Sequence, residues 1–180
     1  MSAVGDFEFD AVLTGPTIRL RPVRPDEFEP LYAVASDPLI WAQHPAKERS
    51  QRGVFETWFK DALLQHALAV EESATRRVIG SSRYYDWNPR MREVAIGFTF
   101  IARDHWGGRT NAEMKRLMLD HAFKWVRTVW FHVDPANARS RKAMEKIGGI
   151  YSHTGTLGLF GAAPREYAFY RIDAPAAGVR

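Results

Sequence analysis

The sequence predicts an α/β fold, a mixed, mostly antiparallel sheet flanked by helices, and three observations carry that prediction. Residues 95–149 read strand, glycine turn, helix, strand, helix. Residues 66–101 read as three strands joined by connections of hairpin length, which suits an antiparallel meander. Residues 150–154 and 166–172 read as a closing pair of strands.

Taken in order, residues 1–15 are expected to be an irregular lead-in to a single domain over 16–173. Residues 17–23 alternate as in a first strand. Pro25-Asp26-Glu27-Phe28 looks like a helix start, with proline in the first turn and carboxylates at the positive end. Phe28, Leu31, Tyr32 and Ala35 form its apolar stripe, and Asp37-Pro38 ends it. A second helix follows with Val54, Phe55, Trp58, Phe59, Ala62 and Leu63 on one face. Strands are read at 66–72, 78–85 and 92–101, the last holding the apolar run Ile96-Gly97-Phe98-Thr99-Phe100-Ile101. Arg103 to Arg109 breaks that run. Thr110-Asn111-Ala112-Glu113 then has the spacing of a capping box. Met114, Leu117, Met118, His121, Ala122 and Trp125 recur at helical spacing, with His121 read as a packed histidine. Val129, Phe131 and Val133 alternate along a strand, with Trp130 and His132 on its other face. Asn137 opens the last helix and Gly148-Gly149 closes it. Residues 155–164 form a long glycine-bearing loop of the kind that carries substrate contacts, and 174–180 read as a frayed tail.

Composition narrows the function classes. At 180 residues, with 46% apolar and 13% aromatic side chains, the chain can bury a sizeable core. No window approaches the ~18 apolar residues of a membrane span. The first residues lack a basic flank and an apolar signal core, so a cytoplasmic protein is expected. With no cysteine, disulfides, thiolate metal sites and cysteine nucleophiles are excluded. No His/Asp/Glu set has metal-ligand spacing, so no metal is expected. The net charge of +4 is scattered, with no Lys/Arg run longer than two, and dedicated nucleic-acid binding is not indicated.

A strand that feeds a glycine turn into a helix is a place to hold a phosphate. Glycines let the backbone approach, and the amides of the first helical turn point outward. Many such joints are only tight turns, and the surrounding pattern decides between the two readings. Ile96-Gly97-Phe98, Trp106-Gly107-Gly108, Asn137-Ala138-Arg139-Ser140 and Glu145-Lys146-Ile147-Gly148-Gly149 follow one another at set separations. Together they resemble the GNAT superfamily of acetyl-CoA-dependent N-acetyltransferases, and within it the RimJ/RimL-like branch of ribosomal-protein N-terminal acetyltransferases. The resemblance covers residues 17–171.

It implies an acyltransferase whose sheet splays at the acetyl-CoA site. The turn from Trp106 through Gly107, Gly108, Arg109 and Thr110 to Asn111 would hold the diphosphate, with Arg103 beside it. The backbone at Phe98, Phe100 and Ile101 would pair with pantetheine, and Asn137 and Ser140 would contact the coenzyme. By residue type alone, Asn137 and Ser140 simply cap and open a helix. Trp41 and His44 become candidate substrate contacts; the plainer reading makes Trp41 a core residue and His44 a loop residue. Glu166, near the start of the last strand, is a further candidate on the acceptor side.

Four positions depart from the family pattern. Arg109 stands where a later glycine is usual and Asn111 where a small residue is usual. Met144 occupies the place of the common acid tyrosine; the branch this chain resembles has instead a serine three residues after the asparagine, here Ser140, whose hydroxyl could hydrogen-bond the sulfur. Ala95 replaces a common glutamate, which leaves Glu93, two residues earlier on the same face, as the candidate base. An α-amine of pKa near ~8 offers about two-hundred-fold more free base at neutral pH than a lysine near ~10.4. The expected acceptor is therefore the α-amine of a peptide or small metabolite. Non-catalytic acyl-CoA binding and, more remotely, nucleic-acid binding are the alternatives.

Overall fold

The computed structural model describes residues 6–159 and 162–176. Its strands are β1 (Leu13–Thr14), β2 (Ile18–Pro22), β3 (Leu68–Glu72), β4 (Val78–Asn88), β5 (Glu93–Ile101), β6 (Thr128–Val133), β7 (Ile150–Leu157) and β8 (Arg165–Asp173). Its helices are α1 (Phe28–Ala35), α2 (Arg52–Leu64), α3 (Thr110–Ala122) and α4 (Ala138–Lys146). The strands form one open sheet in the order β1-β2-β3-β4-β5-β6-β8-β7. Every neighbouring pair is antiparallel except β5 and β6, which α3 joins as a crossover.

That parallel pair is brief. Glu93 lies opposite Thr128, Val94 opposite Val129 and Ala95 opposite Trp130. Beyond these three steps β5 runs on to Ile101 beside β4, and β6 runs on to Val133 beside β8. The sheet is mixed and mostly antiparallel, as the sequence predicts, and it is split in its middle, as the resemblance implies. A bulge marks the split. Ser81 opposes Phe100 and Arg83 opposes Gly97, so one residue of β4 faces two of β5. Phe98 takes up the extra length at φ 53°, in the left-handed region, a conformation uncommon for a bulky residue.

Alternation along the strands builds two cores. On one face Tyr84, Ile96, Met114, Met118, Phe131 and Tyr170 pack beneath α3 and α4. On the other, Leu31, Trp41, Phe55, Trp58, Phe59 and Phe100 pack beneath α1 and α2. The lead-in differs from its expected irregular, peripheral character. Phe7 is buried against Tyr84 and His121, and Leu13–Thr14 adds an edge strand. His121 is packed as predicted, its Nε2 2.9 Å from the Glu8 carbonyl. Residues 1–5 of the lead-in and 177–180 of the tail lie outside the described residues.

The predicted capping box is absent. The Ncap of α3 is Arg109, and no side chain caps it. Glu113 instead reaches across to β2, accepting from the Thr17 amide (2.9 Å), the Ile18 amide (3.2 Å) and the Thr17 hydroxyl. Burial opposes ionisation of this carboxyl, but the hydrogen bonds from Thr17 and Ile18 outweigh it and hold it below the usual carboxylate range. A depressed folded pKa contributes stability above the unfolded value, lost as pH falls through the folded one. Glu113→Ala is expected to cost about 1–3 kcal/mol. Urea unfolding at pH 7 and pH 3 should show this loss shrinking at the lower pH.

Candidate active site

The turn after β5 is built almost entirely from backbone. Ala102 donates to the Ile79 carbonyl at 2.8 Å, and Arg103–His105 makes one turn of 3₁₀ helix. Gly107 takes φ +73°, where a side chain would be strained. Arg109, at the missing later glycine, has an ordinary helical backbone of φ −84°, ψ −11°. None of the backbone amides of residues 107–112 donates to a group among the described residues; the first to do so is Glu113, to the Arg109 carbonyl. The Thr110 hydroxyl pairs with His105 Nδ1 at 2.9 Å rather than with Glu113. Six consecutive donors at and just before a helix N-terminus are therefore left without an acceptor among the described residues, an arrangement that suits a phosphate or diphosphate.

The side chains around this turn are less available than the sequence suggests. Arg103 is tied to Asp37. Arg109 is exposed and unpaired among the described residues. Trp106 donates from Nε1 to the Ile101 carbonyl at 3.0 Å, and its ring carries the Arg139 guanidinium 4.1 Å away. Arg139 in turn donates to the Ile40 carbonyl (3.0 Å), and its amide donates to Gln43 Oε1. Trp106 and Arg139 thus link the turn to the start of α4. A cavity of about 910 Å³ lies on the other side of the turn, beside α1. Its arginines are engaged by carboxylates, as in Arg21 with Glu27 and Glu71.

Along β5, the Phe100 ring is buried in the α1/α2 core, so only its backbone is available to a ligand. Phe98 lays its ring against Tyr85, 5.1 Å between centroids, and under the Arg83 guanidinium at 4.3 Å. Across the gap, Asn137 is buried and caps α4, its Oδ1 accepting from the Ser140 amide at 3.1 Å. The plainer reading of that residue is the observed one, although the cap sits at the open end of β6. Ser140 follows in the first turn, half-buried.

Three candidates fall away from this constellation. Glu93 stands at the closed end of the split, opposite Thr128, where β5 and β6 are still paired. Trp41 is 2% exposed and donates from its indole nitrogen to the Ala35 carbonyl at 2.8 Å, so it supports the wall from within. Glu166 is exposed and alternates with Arg165 and Tyr167, which places it on the opposite face of β8 from those two. His44 stays near the site. Its Nδ1 accepts from the Ala46 amide at 2.9 Å. Burial, with Arg49, Arg165 and Arg139 nearby, pushes its pKa down to about 3.

On the α1/α2 face, just past the last step that β6 shares with β5, the Tyr85 hydroxyl lies 2.7 Å from His132 Nδ1. Burial pushes the His132 pKa down to about 4 and holds the Tyr85 phenol protonated. His132 also packs edge-on against Phe169, 4.5 Å between centroids. Arg49 lies over Trp41 at 5.5 Å, and Arg165 donates to the Tyr167 hydroxyl at 2.8 Å. Neither has a carboxylate partner among the described residues, and this wall is basic. On the opposite face, the buried Lys115 of α3 donates to the Thr99 hydroxyl at 2.8 Å. His132 and Lys115 belong to no motif. The available signals were a lysine inside the apolar stripe Lys115, Met118, Ala122, and a histidine one residue beyond Phe131 on a strand leaving its partner.

A family model described as an acetyltransferase (GNAT) domain matches residues 17–150. No curated protein sequence matches the chain significantly. Among solved structures, a GCN5-related N-acetyltransferase from Brucella melitensis superposes with TM-score 0.80 at 19% identity, covering 93% of this chain and 80% of that one. A putative ribosomal-protein-serine acetyltransferase from Vibrio cholerae gives TM-score 0.72 at 14% identity, over 92% and 98% of the two chains. RimJ of Mycobacterium smegmatis, solved with CoA-disulfide, gives TM-score 0.66 at 17% identity, over 92% and 88%. With three-quarters of its length matched by that model, the chain belongs to the GNAT acetyltransferase family, whose members transfer the acetyl group of acetyl-CoA.

Proposed function

We propose that this chain moves the acetyl group of acetyl-CoA to a primary α-amine, of a peptide or a small metabolite, by direct attack within the split between β5 and β6. The observation that carries this reading is the row of open amides at residues 107–112. They can hold the diphosphate, with Arg109 adding charge. The part of β5 beyond the last step it shares with β6 can pair with pantetheine, and Asn137 and Ser140 flank the opening from α4. That RimJ of Mycobacterium smegmatis was solved with CoA-disulfide supports the ligand class.

The acceptor enters from the α1/α2 face in this reading. There His132, neutral at physiological pH, can take the proton that the attacking amine sheds. Tyr85 serves it in either tautomer, donating to Nδ1 or accepting from it. The basic wall of Arg49 and Arg165 favours an amine with a carboxylate close by.

Two measurements test the reading. Calorimetry with CoA should record binding that Gly107→Ala weakens about tenfold, because a left-handed alanine costs roughly 1–2 kcal/mol. No heat with the wild-type protein would remove the assignment. A thiol-release assay should favour peptides with a free N-terminus and acidic following residues over N-blocked, lysine-containing counterparts. His132→Asn should lower kcat about a hundredfold or more with CoA affinity kept. A preference for the blocked peptides would contradict the proposed acceptor.

A further inference from the structure

Lys115 is 3% exposed, yet it is an amine with three donors and one acceptor, the Thr99 hydroxyl at 2.8 Å. No carboxylate pairs with it among the described residues. Its other close neighbour is the Phe131 ring, 5.7 Å from Nζ to the centroid. Thr99 belongs to β5 and Phe131 to β6, and both lie past the Ala95–Trp130 step where those strands part. Lys115 therefore reaches from α3 into the floor of the split, at the level of the Phe98 bulge. His132 stands one residue beyond Phe131, on the opposite face of the sheet.

An ammonium buried without a counter-charge is costly unless a ligand supplies the missing partner. The Thr99 hydroxyl is itself 2.8 Å from Ser82 Oγ, which lies 3.4 Å from the Gly97 carbonyl, so the amine is held by a short polar chain. Burial alone lowers the Lys115 pKa, to about 7, and no charged group facing it from α3, β5 or β6 contributes. Such an amine can both give and regain a proton near neutrality.

Resting on the acetyl-CoA reading above, we propose that Lys115 is the catalytic acid that protonates the departing CoA thiolate, the task for which Met144 has no proton. The acceptor nitrogen bonds to the acetyl carbon, the carbon–sulfur bond breaks, and its electron pair stays on sulfur. A proton then passes from Lys115 Nζ to that sulfur, giving CoA thiol and neutral lysine. The acceptor's surplus proton goes to His132 or solvent, and Lys115 is reprotonated from solvent as products leave. The base and the acid thus work from opposite faces of one sheet.

The test uses the full chain, CoA and the near-isosteric, apolar variant Lys115→Met. In the wild type, the Lys115 side-chain Cε resonance should titrate near pH 7 and shift when CoA binds. Turnover of Lys115→Met should fall about a hundredfold or more and lose its decline above neutral pH. If CoA binds but the variant turns over as fast as the wild type, or the Lys115 resonance neither titrates near pH 7 nor shifts with CoA, the proposal is overturned while the coenzyme assignment stands. If wild-type protein binds no CoA, both are overturned. The wild-type resonance decides the matter even if the variant does not fold.

Discussion

Parallel pairing between β5 and β6 lasts three residues, and the rest of the molecule is arranged around the place where it stops. Backbone polar groups inside a fold need partners. Here the chain parts two central strands and leaves the facing edges to something else. The Phe98 bulge turns β5 at that point, and residues 107–112, from the glycine turn into α3, bring six further donors beside it. A ligand with an extended amide-bearing arm and a diphosphate head would satisfy both sets. This shared demand, more than any one side chain, ties the fold to acetyl-CoA.

The two faces of the split differ in kind. One is aromatic and basic, with Tyr85, His132, Arg49 and Arg165 placed by alternating positions on β4, β6 and β8 and by the connection before α2. The other is the larger apolar core under α3, interrupted by one amine. Burial works against charge on both faces, keeping His132 and His44 neutral and lowering Lys115. Lys115, which would be charged in water, is thereby brought into the range where an amine can exchange a proton near neutral pH. A basic wall beside the entrance also raises the local concentration of anionic partners.

How much of this was legible in the sequence follows from what each signal encodes. Strand and helix periodicities, the glycine turn and the helix-opening asparagine are local, and they located the strands, the helices and the turn between them; the split in the sheet came from the family resemblance. Side-chain partners are not local. Thr110 and Glu113 have the spacing of a capping box, yet each finds a better partner elsewhere, His105 for one and the edge of β2 for the other. Releasing that box leaves the Thr110 amide open with its neighbours. Trp41 and Arg103 have the chemistry of ligand contacts, but packing against Ala35 and pairing with Asp37 engage them otherwise. Glu93 shares a strand face with Ala95, but the point where β5 leaves β6 depends on the register of both strands. The Tyr85–His132 contact spans 47 positions, and no local pattern announces it.

The most direct test of the amide row is a backbone amide NMR titration comparing CoA with pantetheine, which lacks the diphosphate. The account predicts that CoA moves the amide signals of residues 107–112 more than any others, while pantetheine leaves them in place and perturbs β5 alone. Binding of CoA with those six signals unmoved would contradict it.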